Sequence, residues 1–172
     1  MLKTWKIEQR SDDWYKIRAN LVTASNAGRL LQFGKEKALE PRQNFSNIYA
    51  ERGLILEPEA IELYEIIKNI TVERPGFVTN DEYPSAGASP DGIVGDTLIE
   101  VKCFNDKKHL EINKDNIPFE VMAQVQFSMM VCNLQNCDLI LYNPDTENLK
   151  NALKIIRIER DEDIIKNIQN KL

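Results

Sequence analysis

Short apolar runs alternate with polar turns through the middle of the chain, and longer helical patterns lie on either side. Thr71 to Val78, Tyr83 to Ser89, Gly92 to Val94 and Thr97 to Phe104 read as short extended pieces separated by turn residues. Gly95-Asp96, between two apolar runs, fits a hairpin connection. Ahead of this block, Met1 to Ile7 reads as an irregular or short extended lead-in. Ser11, with Asp12 and Asp13 behind it, reads as the N-cap and acidic first turn of a helix through Trp14, Ile17 and Arg18. Thr23-Ala24-Ser25 offers a second cap, for a helix ending near Gln32, and the lysine- and glutamate-rich Gly34 to Glu40 reads as a loop closed by Pro41. From Asn44 to Lys68 the pattern is helical, with room for a break at Gly53. Ile61, Leu63, Tyr64 and Ile67 form its apolar face, and Glu57-Pro58 suits a helix start because proline is tolerated in the first turn.

Beyond the strands, Asn105 to Pro118 is polar and reads as a surface loop. Phe119 to Val131 is apolar all round except at Glu120, Gln124, Gln126 and Ser128, the pattern of a largely buried helix. Leu139 to Tyr142 and Leu153 to Ile158 read as strands, and Asp161 caps a last helix with Ile164, Ile165 and Ile168 on one side. This order predicts an α/β class of the α+β kind, a mixed sheet with helices packed on it. With no internal repeat, low-complexity block or linker, residues 1–172 are expected to form a single domain.

Composition narrows the setting. At 42% hydrophobic and 28% charged residues, the chain belongs with folded rather than disordered proteins. It carries no apolar run near the length of a membrane span and no basic-then-apolar leader, so no membrane association or secretion is expected. Cys103, Cys132 and Cys137 are an odd number without zinc-ligand spacing, beside one histidine, so a reducing cytoplasm is the natural home. The net charge of −5 argues against non-specific coating of nucleic acid. It says little about one groove, because acids that belong to a metal site are offset by the bound cations.

The chemistry concentrates in Ala88-Ser89-Pro90-Asp91-Gly92 and Ile99-Glu100-Val101-Lys102. Side chains alternate faces along a strand, so Glu100 and Lys102 point the same way, and Asp91 on the neighbouring hairpin strand can join them. Such a cluster can be a solvent-facing device that discourages edge pairing. The flanking Ile93, Val94, Leu98, Ile99 and Val101 instead imply a well-buried strand, whose charges face a cleft or each other. Two carboxylates and a main-chain carbonyl suit Mg²⁺, and a lysine beside them can orient or deprotonate a water or stabilise a phosphoryl transition state.

Pro90-Asp91 followed by Glu100-Val101-Lys102 resembles the signature of the PD-(D/E)XK nuclease superfamily. Further blocks resemble the lambda exonuclease, or YqaJ-like viral recombinase, family. They are Trp14-Tyr15-Lys16-Ile17-Arg18 with Thr23-Ala24-Ser25, Gly53 through Glu57 to Ala60, Ser89-Pro90-Asp91-Gly92, and Met122-Ala123-Gln124-Val125-Gln126, all in the family's order. The resemblance implies a restriction-endonuclease-like core and a Mg²⁺-dependent 5′→3′ exonuclease for double-stranded DNA ends, with Mn²⁺ able to substitute and two ions bound. It implies 3′ overhangs passed to a single-strand annealing protein, a homotrimeric ring around DNA, and action in the host cytoplasm if the gene is phage-encoded. The chain is shorter than the best-known member, and the loop from Asn105 to Pro118 is where differences are expected.

The resemblance also implies roles for single residues. Asp91, Glu100 and the Val101 carbonyl would hold metal, and Lys102 would act on the water or the phosphate. Glu57 reads by itself as a carboxylate favoured near a helix N-terminus, and by resemblance as a third acid of the site. Asp81 reads by itself as part of a polar turn, and by resemblance as an acid near the metals. Gln124 and Gln126 lie about 200° apart on a helix, so at most one faces the site; the family's motif makes it Gln124. Where an aromatic often follows the second glutamine, this chain has Phe127, which lacks a tyrosine's hydroxyl. Arg18, Ser25 and Ser89 correspond to a pocket for the 5′-phosphate of the digested strand, which arginine grips in bidentate fashion, while Trp14 reads as core. Two other classes compete: another superfamily nuclease, either an endonuclease or a CRISPR-associated iron–sulfur enzyme, and a catalytically silent DNA-end-binding module. Three cysteines cannot supply a four-cysteine cluster, and a silent module would have lost an acid or the lysine.

Overall fold

The computed structural model describes residues 1–41 and 48–172, with the side chains of residues 48–50 left aside. Two four-stranded sheets carry the architecture. The first, in order β1 (Leu2–Trp5), β3 (Phe77–Asn80), β4 (Ala86–Ala88) and β2 (Val22–Thr23), mixes antiparallel pairs with one parallel pair, β2 with β4. The second runs β5 (Gly92–Val94), β6 (Thr97–Lys102), β7 (Asn136–Tyr142) and β8 (Leu153–Glu159), with a parallel β6–β7 pair between two antiparallel ones. The mixed α/β class read from the sequence is the fold found.

Alternation along β6 divides the second sheet's two faces. Ile99, Val101 and Cys103 pack with Ile140 and Tyr142 of β7 beneath helix α4 (Ile48–Lys68), which supplies Ala60, Ile61 and Tyr64. Leu98 faces the other way with Leu139 and Leu141, into the larger core around helix α6 (Phe119–Cys132). That helix is apolar on every side because it packs against both sheets, against α2 (Ala27–Phe33) and against α7 (Glu162–Lys171). Its left-handed Asn133 ends it, with the Asn133 N–H donating to the Met129 and Met130 carbonyls. Gln126, buried on α6, donates to the Glu159 carbonyl and accepts from the Asp161 N–H, so it serves the fold.

Several local expectations hold. Ser11 caps α1 (Asp12–Arg18) by accepting the Trp14 N–H, and Gly95 turns the β5–β6 hairpin at φ 58°. Trp14 is buried, and all three cysteines are buried and free. Others are corrected. Gly34 to Glu40 is not a loop: α3 (Lys35–Leu39) forms there because Ala38 is fully buried and anchors it. Asn105 to Pro118 contains α5 (Asp106–Glu111), capped by the Asn105 side chain and pinned by buried His109, whose Nε2 meets the Asn151 carbonyl.

Pro58 lies inside α4 rather than at its start, and no break occurs at Gly53. A mid-helix proline removes one backbone hydrogen bond and costs about 3 kcal/mol, here outweighed by the face that packs on β6 and β7. That face is Ala60, Ile61 and Tyr64, while Ile67 stands exposed. The expected helix residues Asn44 to Asn47 lie outside the described residues. Thr23-Ala24-Ser25 does not cap α2. It enters a 3₁₀ turn (Ala24–Asn26), and the Thr23 hydroxyl is taken up by other side chains. Among the described residues no helix is long and apolar enough to cross a membrane.

A buried polar clasp locks α4 onto the sheet that carries Glu100. Asp138 on β7, 2% exposed, pairs with Arg157 of β8 at 2.8 Å and accepts the Tyr64 hydroxyl at 2.6 Å. Tyr64→Phe leaves a buried carboxylate oxygen short of a donor. Chemical denaturation is expected to show a loss of about 1–3 kcal/mol; an unchanged midpoint would mean the clasp carries no stability.

Candidate active site

The site forms where β6 outruns β5. β5 pairs with β6 only through Thr97 to Ile99, so the β5-side edge of β6 is open beyond that point. Asp91, immediately before β5, fills the opening: its Oδ2 accepts the Val101 N–H at 2.7 Å. The N–H and C=O of one strand residue face the same edge, so the Val101 carbonyl faces the Asp91 side as well. Gly92 permits the fit, since a Cβ there would collide with the Val72 side chain.

Glu100 and Lys102 project together onto the α6 face, as strand parity requires. Glu100 is 2% exposed, and its Oε1 accepts both Lys102 Nζ at 2.7 Å and Gln124 Nε2 at 2.6 Å. Lys102 Nζ also donates to Gln124 Oε1 at 3.1 Å, which closes a triangle. Gln124 thus faces this cluster while Gln126 does not, which resolves the choice between the two glutamines geometrically.

Glu57 comes from α4, on the opposite face of the sheet, and its Oε1 accepts from Arg74 at 2.8 Å. The three carboxylates feel one another. Burial pushes Asp91 well above the usual carboxylate range, and the charges of Glu100 and Glu57 push the same way, against Lys102 and the Val101 N–H. Burial also raises Glu57, with Glu100 adding and Arg74 and Arg10 opposing. Burial works to lower Lys102, but Glu100 and Asp91 outweigh it and hold the ammonium above its ordinary value.

Among the described residues, no three His, Cys, Asp or Glu side chains converge as a metal cluster. The donor set on offer is therefore Asp91, Glu100 and the Val101 carbonyl, with Glu57 held back by Arg74. These are all hard oxygen donors, and a divalent cation would offset the burial and the neighbouring carboxylate charges that together raise Asp91, so the residues fit Mg²⁺. Asp81 is not brought here. The register Val78↔Ala88 and Thr79↔Gly87 puts it at the far end of the β3–β4 hairpin from Asp91, where it pairs with the Met1 amino group at 3.3 Å, 82% exposed.

A second cluster reaches the same segment from α1. Trp14 Nε1 donates to Ser89 Oγ at 2.8 Å, and the Arg18 guanidinium stacks 3.8 Å from the Trp14 ring centroid. Arg18 also donates to Thr23 Oγ1 at 3.0 Å, and Thr23 and Ser25 hydroxyls lie 3.1 Å apart. Arg18, Ser25 and Ser89, chosen from the sequence, are therefore linked through Trp14 and Thr23, and Ser89 lies two residues upstream of Asp91. The sequence reading gave Thr23 no role of its own, although it lies in the Thr23-Ala24-Ser25 block, and it missed Arg74 and Gln9, whose side chain donates to the Pro90 carbonyl at 3.1 Å. No sequence signal marks these last two, because each meets the site only through tertiary contacts.

A family model of the YqaJ-like viral recombinase domain matches residues 13–135. The crystal structure of LHK-Exo in complex with dAMP is 32% identical, with a TM-score of 0.80, covering 94% of this chain and 88% of that one. A second structure of LHK-Exo, an alkaline exonuclease from Laribacter hongkongensis, is 30% identical with a TM-score of 0.79 over the same shares of the two chains. A phage-related exonuclease from Haemophilus somnus 129PT shares the fold at 15% identity, with a TM-score of 0.59 over 96% of this chain and 84% of that one. No curated protein matches.

Because the folded state raises the Asp91 pKa, the metal-free protein holds this carboxyl most comfortably when protonated. That stabilisation is complete below the unfolded value near 3.9 and is lost as pH rises through the folded one. Asp91→Asn keeps an oxygen for the Val101 N–H and removes the charge. Thermal melts without metal at pH 7–8 are expected to rise by roughly 2–4 °C, the shift that about 1 kcal/mol gives a chain of this size, with the gain shrinking towards pH 4. A lower melting temperature at neutral pH would contradict this electrostatic picture.

Proposed function

Because the chain belongs to the YqaJ-like viral recombinase family, we propose that it is a Mg²⁺-dependent 5′→3′ exonuclease for double-stranded DNA. One observation carries the reading: the segment Ser89-Pro90-Asp91 touches both clusters, the Arg18 group through Ser89 and the carboxylate–lysine group through Asp91. An enzyme that removes nucleotides from a phosphorylated end needs those two functions about one nucleotide apart. The relatives that are exonucleases, one of them bound to the mononucleotide dAMP, support the same reaction class.

Asp91, Glu100 and the Val101 carbonyl would hold Mg²⁺, with Mn²⁺ able to substitute and two ions the proposed number. Such an ion supplies an activated water and neutralises charge on the phosphoryl oxygens. Lys102, kept protonated by Glu100 and Asp91, acts as a donor that stabilises charge on the reacting phosphate. Gln124 fixes both the lysine and Glu100, and its amide orients the water. Glu57 assists from the α4 side. Arg18 and Ser25, with Ser89 fixing Trp14 beneath the arginine, hold the 5′-phosphate; the guanidinium supplies paired donors and the hydroxyl a further one.

The product is a 3′ overhang for a single-strand annealing protein, made by a homotrimeric ring in the cytoplasm that holds the DNA, the host cytoplasm if the gene is phage-encoded. The whole of residues 1–172 acts as one exonuclease domain.

Linear duplexes labelled at either end, with and without a 5′-phosphate, separate the alternatives. With Mg²⁺, mononucleotides are expected from the 5′-phosphorylated end, EDTA is expected to stop the reaction, and Lys102→Ala is expected to slow it roughly 10²–10⁴-fold. Nicking of closed circles at an equal rate would favour an endonuclease. An absence of any metal-dependent cleavage would overturn the enzyme reading.

A further inference from the structure

A cleft of about 420 Å³ opens beside Glu57, on the side away from Gln124, lined by Gln9, Arg10, Leu54, Glu57, Arg74 and Gly76 among others. We propose that Arg10 and Arg74 form a second phosphate subsite there, which grips a backbone phosphate of the DNA strand on the 3′ side of the scissile bond. The proposal rests on the exonuclease reading for the identity of its ligand.

The cleft is built rather than incidental. The loop after β1 and the segment before β3 approach so closely that a Cβ at Gly76 would run into the Ile7 carbonyl oxygen. This contact brings Arg10 and Arg74 to one cleft although 64 positions separate them in the chain. Both segments are then tied to the stretch around Asp91. Gln9 Nε2 donates to the Pro90 carbonyl, while Glu73 and Ile93 exchange main-chain hydrogen bonds of 3.0 and 2.8 Å. Arg10 itself adopts φ 72°, a left-handed conformation uncommon for a non-glycine residue.

The chemistry in the cleft suits phosphate. Arg74 commits one terminal nitrogen to Glu57. Arg10 forms no ion pair or side-chain hydrogen bond among the described residues, although it lies near enough to Glu57 to act on its charge. Guanidinium forks match phosphate oxygens in pairs. Two carboxylates, Glu8 and Glu57, balance the arginines in the free protein, and an arriving phosphate would take the place of Glu57 on Arg74.

Position identifies which phosphate this is. The Arg18 group reaches the Asp91 segment through Ser89, and the Arg10–Arg74 cleft reaches it through Pro90 and Ile93. A strand with its terminal phosphate at Arg18 and its scissile bond at Asp91 still has the next phosphate to place. Among the described residues, Arg10 and Arg74 are the cations that line the cleft beside Glu57.

Binding of a 5′-phosphorylated duplex, followed by fluorescence anisotropy in EDTA between 50 and 200 mM salt, tests the subsite without cleavage. The double variant Arg10→Gln/Arg74→Gln is expected to bind more weakly, with the slope of log K against log salt shallower by about 1, one neutralised phosphate fewer. Its affinity for dAMP, whose single phosphate the terminal pocket would take, is expected to stay unchanged, as is duplex binding by Lys166→Gln on α7. Arg10→Gln alone, which breaks no hydrogen bond or ion pair in the free protein, is expected to shift affinity the same way and guards against misfolding caused by losing the Arg74–Glu57 pair. An unchanged slope and affinity in these variants would overturn the subsite, and so would an equal loss of dAMP binding. Cleavage by the unaltered protein with Mg²⁺ is read in parallel: an inactive protein sinks the exonuclease reading, whereas an active one with unaltered slopes in the variants sinks the subsite alone.

Discussion

Glu100 places a carboxylate at 2% exposure in the middle of a sheet, where an unmet oxygen would cost several kcal/mol, about 2–7 for an uncompensated polar group. Lys102 and Gln124 meet it, both on Oε1. That requirement reaches far into the fold. Lys102 serves because it lies two residues along the same strand. Gln124 serves only if α6 lies against the α6-side face of β6 in one rotation. To hold that rotation α6 is buried on every side, between two sheets, α2 and α7, with Gln126 fixed to Glu159 and Asp161 on its far side. The first sheet and the last helix thus seat the helix that completes the site.

The opposite face carries a matching constraint. The Tyr64–Asp138–Arg157 clasp fixes α4, and two turns earlier the same helix delivers Glu57 to the β5 edge. Burial raises the cost of charge on Asp91 and Glu57, and Glu100 adds to both, with Lys102 opposing at Asp91 and Arg74 and Arg10 at Glu57. Local electrostatics here favour a cation's arrival over the stability of the free protein, the conflict that functional sites commonly show.

The sequence made the central strand legible because parity is rigid. Glu100 and Lys102 had to share a face, and the apolar residues around them had to bury it. Helical geometry allowed only one of Gln124 and Gln126 to reach the Glu100–Lys102 pair, and Gln124, the one the family motif implied, is the one that meets it. Asp81, named by resemblance, lies apart from Asp91 because the β3–β4 register, which the sequence does not show, puts it at the turn end of that hairpin. The short helices α3 and α5 read as loops since each is mostly charged and is held by one buried residue, Ala38 or His109. Pro58 looked like a helix start because local propensity cannot see the packing that carries α4 through it. Arg74 was invisible, since tertiary contacts such as the Glu73–Ile93 bridge bring it to Glu57.

The central claim is that Asp91, Glu100 and the Val101 carbonyl form a divalent-cation site. Calorimetric titration of Mg²⁺ into the protein, without DNA, tests it most directly. Saturable binding that disappears in Glu100→Gln is the expected result. No binding to the unaltered protein, or equal binding to both, would contradict it.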